Sequence, residues 1–215
     1  MSETAVNQAE LVVRVIAQTA VDNEKYFCEL DAAAGDGDFG YSLARGFEIV
    51  VSDWDEIDRS DVGTLLKKTA IILTKRIGGT SGPIWGTAFL RAGSSLGDNS
   101  DPSGEDVVAA LRAAIEGIKQ RGSAELGDKT LLDSLSPAVD ELERALPEGS
   151  IVAIGRASKV ARSTAEATNG MLAQRGRAAY TGDRSRDSPD AGAIAIAVLF
   201  EAVLEAWEQA QVGSA

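Results

Sequence analysis

Apolar residues recur along nearly the whole chain at the spacing of one helix face. Leu66, Ala70, Leu73 and Ile77 follow i, i+4, i+7, i+11, and Val107, Ala110, Leu111, Ala114 and Ile118 repeat that stripe. Val6, Ala9, Val13, Ile16, Ala17 and Ala20 make one face near the start, and Ile196, Leu199, Phe200, Val203 and Trp207 another near the end. No segment shows the strict alternation of a half-buried strand. Turn signals divide the stripes into about eight helices, roughly 4–28, 40–52, 61–78, 82–97, 103–121, 130–146, 150–174 and 190–211. Asp61 and Ser103 read as N-caps, Pro83 sits just inside a helix start, and Pro147-Glu148-Gly149 is a break. The segment over 150–174 carries Ala153, Ala157, Ala161, Ala165 and Thr168 along one side, a face of small residues that allows close packing. Short connections make consecutive helices antiparallel. The expectation is an all-α, eight-helix up-and-down bundle forming a single domain over residues 1–215.

Composition narrows the chemistry. The chain has 215 residues, 44% hydrophobic and 25% charged, the profile of an ordinary globular protein. It contains no histidine, which excludes Ser-His and Cys-His relays, His-ligated zinc and a phosphohistidine on this polypeptide. With 21 Lys and Arg against 33 Asp and Glu, the net charge of −12 speaks against nucleic-acid and anionic-lipid partners. Cys28 has no partner for an intrachain disulfide, and the polar start MSETAVNQAE lacks the regions of a secretory signal. No apolar run reaches membrane-spanning length, so the expected location is the cytoplasm.

Two stretches, 29–40 and 174–189, break the helical pattern and carry unusual side chains. Residues 31–40 read Asp-Ala-Ala-Ala-Gly-Asp-Gly-Asp-Phe-Gly. Gly35, Gly37 and Gly40 satisfy G-x-G-x-x-G in letters, but no strand precedes them and the aspartates would repel a pyrophosphate. An EF-hand starting at Asp36 fails at its fifth, sixth and twelfth positions, which hold Gly40, Tyr41 and Phe47. What remains is Asp31, Asp36 and Asp38 gathered by a tight glycine turn. Two carboxylates about 4 Å apart repel by roughly 4 kcal/mol at an effective dielectric of about 20, so convergence needs a cation. Oxygen-only ligands favour Mg²⁺ or Ca²⁺. The alternative is a solvated Asp-Gly turn.

Gly78-Gly79-Thr80-Ser81-Gly82-Pro83 precedes an apolar helix, and free amides at such a start suit a phosphate. It is not a Walker A sequence, and a plain helix cap explains it equally well. Arg175, Arg177, Arg184 and Arg186, interspersed with Gly176, Tyr180 and Gly182, form an arginine loop able to close over phosphates; the alternative is a solvated surface loop.

Asp31 with Asp36-Gly37-Asp38, Gly79-Thr80-Ser81-Gly82-Pro83, Gly127-Asp128-Lys129-Thr130 and the segment from Gly176 to Ser185, Gly-Arg-Ala-Ala-Tyr-Thr-Gly-Asp-Arg-Ser, together resemble the L subunit of dihydroxyacetone kinases. The resemblance covers essentially the whole chain and implies an eight-helix barrel binding nucleotide at one end. It implies that Asp31, Asp36 and Asp38 hold two Mg²⁺ ions bridging the phosphates of ADP or ATP, with Asp36, Asp38 and Arg177 as catalytic residues. Nucleotide contacts are implied for Phe39, Gly40, Tyr41, Ser42, Thr80, Ser81, Gly122, Thr130, Leu131, Arg177, Asp190, Ala191 and Gly192. In such a family the ketose, dihydroxyacetone or a relative such as erythrulose, sits on a separate K subunit through a histidine.

The implied function is thus the nucleotide-binding subunit of a small-ketose kinase, with the K-type subunit as partner. Phosphate comes from ATP, or from ADP recharged by a phosphohistidine-carrying phosphotransferase-system protein. A homodimer and a nucleotide-loaded regulatory subunit without turnover are the further alternatives. The chain departs from its relatives at Asp38-Phe39-Gly40-Tyr41-Ser42, where they read Asp-His-Gly, any residue, Asn, and at Asp190-Ala191-Gly192, where they read Asp-Pro-Gly.

Overall fold

The computed structural model describes residues 3–212, and they are all-α, with no strand among them. Nine α-helices occur: α1 (Glu3–Asp22), α2 (Glu24–Ala32), α3 (Phe39–Ser52), α4 (Val62–Arg76), α5 (Ser81–Leu96), α6 (Gly104–Gly122), α7 (Leu132–Ala145), α8 (Ser150–Ala167) and α9 (Ala191–Val212). Short 3₁₀ segments lie at Trp54–Glu56, Leu146–Glu148 and Arg177–Asp187.

The helix expected over 4–28 is therefore two. Asn23 breaks it: its backbone N–H and its side-chain amide both donate to the Thr19 carbonyl, 3.1 and 2.9 Å away, so the side chain competes for the acceptor at the junction. The helix expected over 150–174 ends at Ala167. Asn169-Gly170, with Gly170 at φ +85°, is the stop signal that the apolar pattern obscured. Asp61 and Ser103 cap as expected, accepting from the amides of Thr64 and Asp106 at 2.7 and 3.2 Å, and Asp106 closes a capping box.

The chain divides into two compact units. One contains the described residues up to Glu24 together with Tyr41–Ser123; the other contains Lys25–Gly40 and the described residues from Ala124 onward. In the first unit α4 packs on α5 and α5 on α6, each pair an antiparallel hairpin because the joining loop is short. Buried Val13, Ala17, Leu43, Phe47, Val50, Leu65 and Leu73 fill its interior. Glycine sets the α4–α5 distance: a Cβ on Gly63 would lie 2.8 Å from the Gly93 carbonyl oxygen, and one on Gly93 would lie 2.7 Å from that of Gly63.

In the second unit α8 packs against both α7 and α9. The expected small-residue face of α8 does this work, since Ala153, Ala157, Ala161 and Ala165 are all fully buried. Ser134 on α7 ties the pair by donating to the Ala161 carbonyl at 3.0 Å. The first half of α9 is buried around most of its circumference, with Ala193, Ile194, Ala195, Ile196, Ala197 and Leu199 inside. A helix so enclosed gives its N-terminal residues a fixed position, and candidate site residues sit there.

The α4–α5 contact yields a first test. Gly63→Ala places a methyl group against backbone that cannot step aside, so it should destabilise the chain by about 1–3 kcal/mol. Urea denaturation at constant m-value measures it; an unchanged midpoint contradicts the close approach.

Candidate functional site

The acidic cluster is built by the end of α2 and the turn after it. Asp31 lies in the last turn of α2 rather than in a loop, and its carbonyl accepts from the amides of Ala34 and Gly35 at 3.1 and 2.5 Å, turning the chain back. One oxygen of its carboxylate, Oδ2, accepts from the amides of Gly37 and Phe39 at 2.9 and 3.4 Å. Two glycines make this wrap possible. A Cβ on Gly35 would lie 2.7 Å from the Asp31 carboxyl carbon, and Gly37 takes φ +77°. Asp31, Asp36 and Asp38 can each present an oxygen so that all three lie within 4.8 Å of one another, Asp31 half-buried and the other two exposed.

Arg177 supplies the compensating charge. Its Nη1 pairs with the Asp36 carboxylate and lies 3.3 Å from Asp38 Oδ2. The expected arginine loop is thus brought onto the acidic cluster. It is not a structureless loop: Arg177–Asp187 is turned into 3₁₀ segments that kink at Gly182, φ +59°. Arg175 reaches Asp128 at 2.8 Å, and Arg186 donates to the Gly170 carbonyl at 2.7 Å. Tyr180 is 93% exposed.

A second group of candidates meets where α7 and α9 begin. Thr130 precedes α7, its amide donating to Asp133 Oδ2 at 2.7 Å and its hydroxyl accepting from the Leu132 amide at 3.2 Å. Asp190 caps α9, accepting from the Ala193 amide at 2.7 Å, while its own amide donates to Thr168 Oγ1 at 2.8 Å. A Cβ on Gly192 would lie 3.3 Å from Leu131 Cβ, so Leu131 and the Asp190-Ala191-Gly192 turn abut. Burial pushes the Asp190 carboxyl up to about 7; the Ala193 amide opposes this, Asp133 and Asp31 add to it, and Lys129 works against it.

The remaining candidates belong to the first unit, apart from Phe39 and Gly40. Phe39 opens α3, half-buried, with its ring 6.1 Å from that of buried Phe27 and its backbone N–H on Asp31. Gly40 is buried. Tyr41 is 53% exposed and stacks with the Arg45 guanidinium at 5.0 Å. Ser42 stands beside the Gly78 turn, its Oγ 3.7 Å from where a Gly78 Cβ would be. That turn carries Gly79 at φ +61° into α5, where Thr80 takes the N-cap position without a side-chain cap bond. Its hydroxyl caps no amide of α5, whose third residue, Pro83, has none to cap. Gly122 is the last residue of α6.

Two site residues had no role assigned from sequence: Lys129, quoted only as part of the Gly127-Asp128-Lys129-Thr130 motif, and Asp133. Lys129, at φ +62° and 3% exposed, donates from Nζ to the carbonyls of Met171 at 3.2 Å, Ser188 at 2.7 Å and Ser185. Burial pulls its ammonium below the usual lysine range. Asp133 accepts from the Gly127 and Thr130 amides at 2.6 and 2.7 Å and so shapes the turn that carries Lys129. A signal for Asp133 was present, because Thr130-Leu131-Leu132-Asp133 has capping-box spacing.

Fold and site together define an all-helical protein presenting an arginine-faced carboxylate cluster of hard oxygen donors, suited to a divalent cation and a phosphate ligand. Comparison with known proteins agrees. A family model described as the DAK2 domain matches residues 33–205. The ADP-binding subunit DhaL of the PEP-dependent dihydroxyacetone kinase of Escherichia coli (strain K12) is 36% identical over 179 residues, 82% of this chain and 85% of that protein. L-erythrulose 1-kinase of Mycolicibacterium smegmatis is 36% identical over 196 residues, 90% of this chain but 34% of that larger protein. The crystal structure of the dihydroxyacetone kinase of C. freundii in its native form superposes with a TM-score of 0.74 at 28% identity, covering 92% of this chain and 34% of that one. The chain belongs to the DAK2-domain family of dihydroxyacetone kinase L subunits.

Asp190 yields a test by pH. Its folded-state value of about 7 lies above the ordinary 3.8, so the folded chain keeps a proton that the unfolded chain releases, and this group's contribution to stability falls as pH rises between those values. Asp190→Asn keeps an acceptor for the Ala193 amide and removes the ionisation. In metal-free protein it should flatten the decline in unfolding free energy between pH 5 and 7; an unchanged slope in urea titrations contradicts the burial of the charge.

Proposed function

We propose that this chain is the nucleotide-binding subunit of a small-ketose kinase, transferring phosphate to a hydroxyl of a ketose held on a partner K-type subunit. One observation carries the reading: Asp31, Asp36 and Asp38 converge under the guanidinium of Arg177. Oxygen ligands alone, two of the three exposed, fit Mg²⁺. Bound there, two such ions would neutralise phosphate charge and orient the phosphoryl group for in-line transfer. Asp31 contributes one oxygen, since its Oδ2 is engaged by the Gly37 and Phe39 amides. Arg177 lies at hydrogen-bond distance from the cluster and is the group to meet phosphate oxygens and the charge that spreads over them during transfer.

The adenine nucleotide is supported by the names of relatives: ADP-binding subunits in the short proteins, and a C. freundii dihydroxyacetone kinase solved with AMP-PNP and Mg²⁺, a TM-score of 0.73 at 27% identity. Within the second unit, the abutting Leu131 and Gly192 are the further surface assigned to it. The names of the same relatives also support a partner for the ketose. This chain spans 34% of the erythrulose and C. freundii kinases but 85% of the E. coli subunit, and it has no histidine with which to capture a ketone. Both donor routes, ATP or ADP recharged by a phosphotransferase protein, fit a site that neutralises phosphate.

Two substitutions separate binding from transfer. Asp36→Ala should abolish Mg²⁺-dependent ADP binding in calorimetry. Arg177→Ala should leave that binding within a few-fold and lower ketose phosphorylation, reconstituted with a K subunit, by about a thousandfold. If the wild-type chain binds Mg²⁺ and ADP but supports no phosphorylation with ATP or a phosphotransferase donor, it is a regulatory subunit instead.

A further inference from the structure

Arg177 has to reach the carboxylates from a long connection between α8 and α9, whose ends meet through Gly170 and Arg186, at 2.9 and 2.7 Å, and through the Ala173 amide on Ser185 Oγ at 3.0 Å, and one turn grips it besides. Asp128 grips its N-terminal stem twice. The Asp128 carbonyl accepts from the Gln174 amide at 3.0 Å and its carboxylate from Arg175 Nε at 2.8 Å. The Glu125 amide, then Arg175, hold that carboxyl below the usual range, so the grip persists in the ionised form. The next residue, Lys129, grips both ends: Nζ donates to the Met171 carbonyl before Arg177 and to those of Ser185 and Ser188 after it.

Three carbonyls converging on one point need three donors from one atom, and among side chains an ammonium alone has them. The nitrogen is buried, and no carboxylate hydrogen-bonds it. Its charge is solvated by the backbone of this one connection. Without that charge, three buried carbonyls lose their partner at once.

We propose that Lys129 is a positioning residue for phosphoryl transfer, its ammonium pinning both ends of the connection so that Arg177 is aimed at the cation and phosphate site. This rests on the function proposed above. Lys129 itself stays clear of nucleotide and ketose, and its effect on rate passes entirely through Arg177.

The test is a double-mutant cycle in the full-length chain reconstituted with a K subunit. Lys129→Met keeps the length of the side chain and removes its donors. It should lower kcat by about 100-fold, as expected for a misplaced catalytic group, with KM for ketose changed by less than about threefold. In an Arg177→Ala background the same substitution should have no further effect on kcat, because the group it positions is gone. Losses that multiply, or a Lys129→Met chain with wild-type kcat, overturn the proposal. If Lys129→Met does not fold, the same cycle is run with Lys129→Arg, whose planar fork keeps the charge but cannot meet three convergent carbonyls.

A readout independent of activity keeps the two readings apart. Trypsin should cut Lys129→Met after Arg175, Arg177, Arg184 or Arg186 several-fold faster than wild type under native conditions in which circular dichroism shows both chains folded. Equal cleavage rates overturn the clamp even if the kinase assignment holds, and faster cleavage in a chain without kinase activity upholds the clamp while the functional reading falls.

Discussion

Three carboxylates that can approach within 4.8 Å of one another repel, and much of the second unit is arranged around that repulsion. Asp31 is the carboxylate the protein itself satisfies, through two amides presented by the glycine turn. Asp36 and Asp38 receive no such help and are paired with Arg177, which comes from more than a hundred residues further along the chain. An exposed ion pair of this kind contributes little to stability. It makes more sense as a site whose charge is designed to be exchanged: positive partners can be replaced by a cation, and the arginine freed for an anion.

The scaffold for this exchange is made of small residues. The alanine face of α8 and the enclosed first half of α9 let three helices approach closely, which holds Thr168, Asp190 and Leu131 in register. Alanine gains less from burial than leucine, but it loses no side-chain entropy and gives a backbone position with little freedom. Precision at the helix ends is the result, and both the Asp190 cap and the connection carrying Arg177 start from those ends.

The helical pattern and the acidic cluster were legible because each has a signature carried by neighbouring letters. Period 3.6 stripes located every α-helix but α2, which was merged with α1 and cut short at residue 28, and Asp31, Asp36 and Asp38 share one short glycine-rich stretch. Boundaries failed where a side chain interrupted a continuing stripe, as Asn23 does, or where a stop signal lay inside apolar spacing, as at Asn169-Gly170. Lys129 was illegible for a different reason. A lone lysine between Arg121 and Arg144 looks like any solvated cation, and only the fold supplies the three carbonyls from residues 171, 185 and 188. Its partners are 42, 56 and 59 positions away, beyond any local rule.

The departures from the resembled pattern take on a physical meaning in the same way. Where relatives carry histidine after the last aspartate, Phe39 points its ring at Phe27 and keeps its N–H on Asp31. The backbone bond to Asp31 does not depend on the side chain, and the ring packs toward a fully buried neighbour. Ala191 in place of proline is likewise tolerated at a helix start already fixed by the Asp190 cap and by Thr168. The absence of histidine from the whole chain therefore removes no group that shapes this cluster. Carboxylates, amides and a guanidinium build the cluster, and in the function proposed above any imidazole step belongs to the chain that presents the ketose.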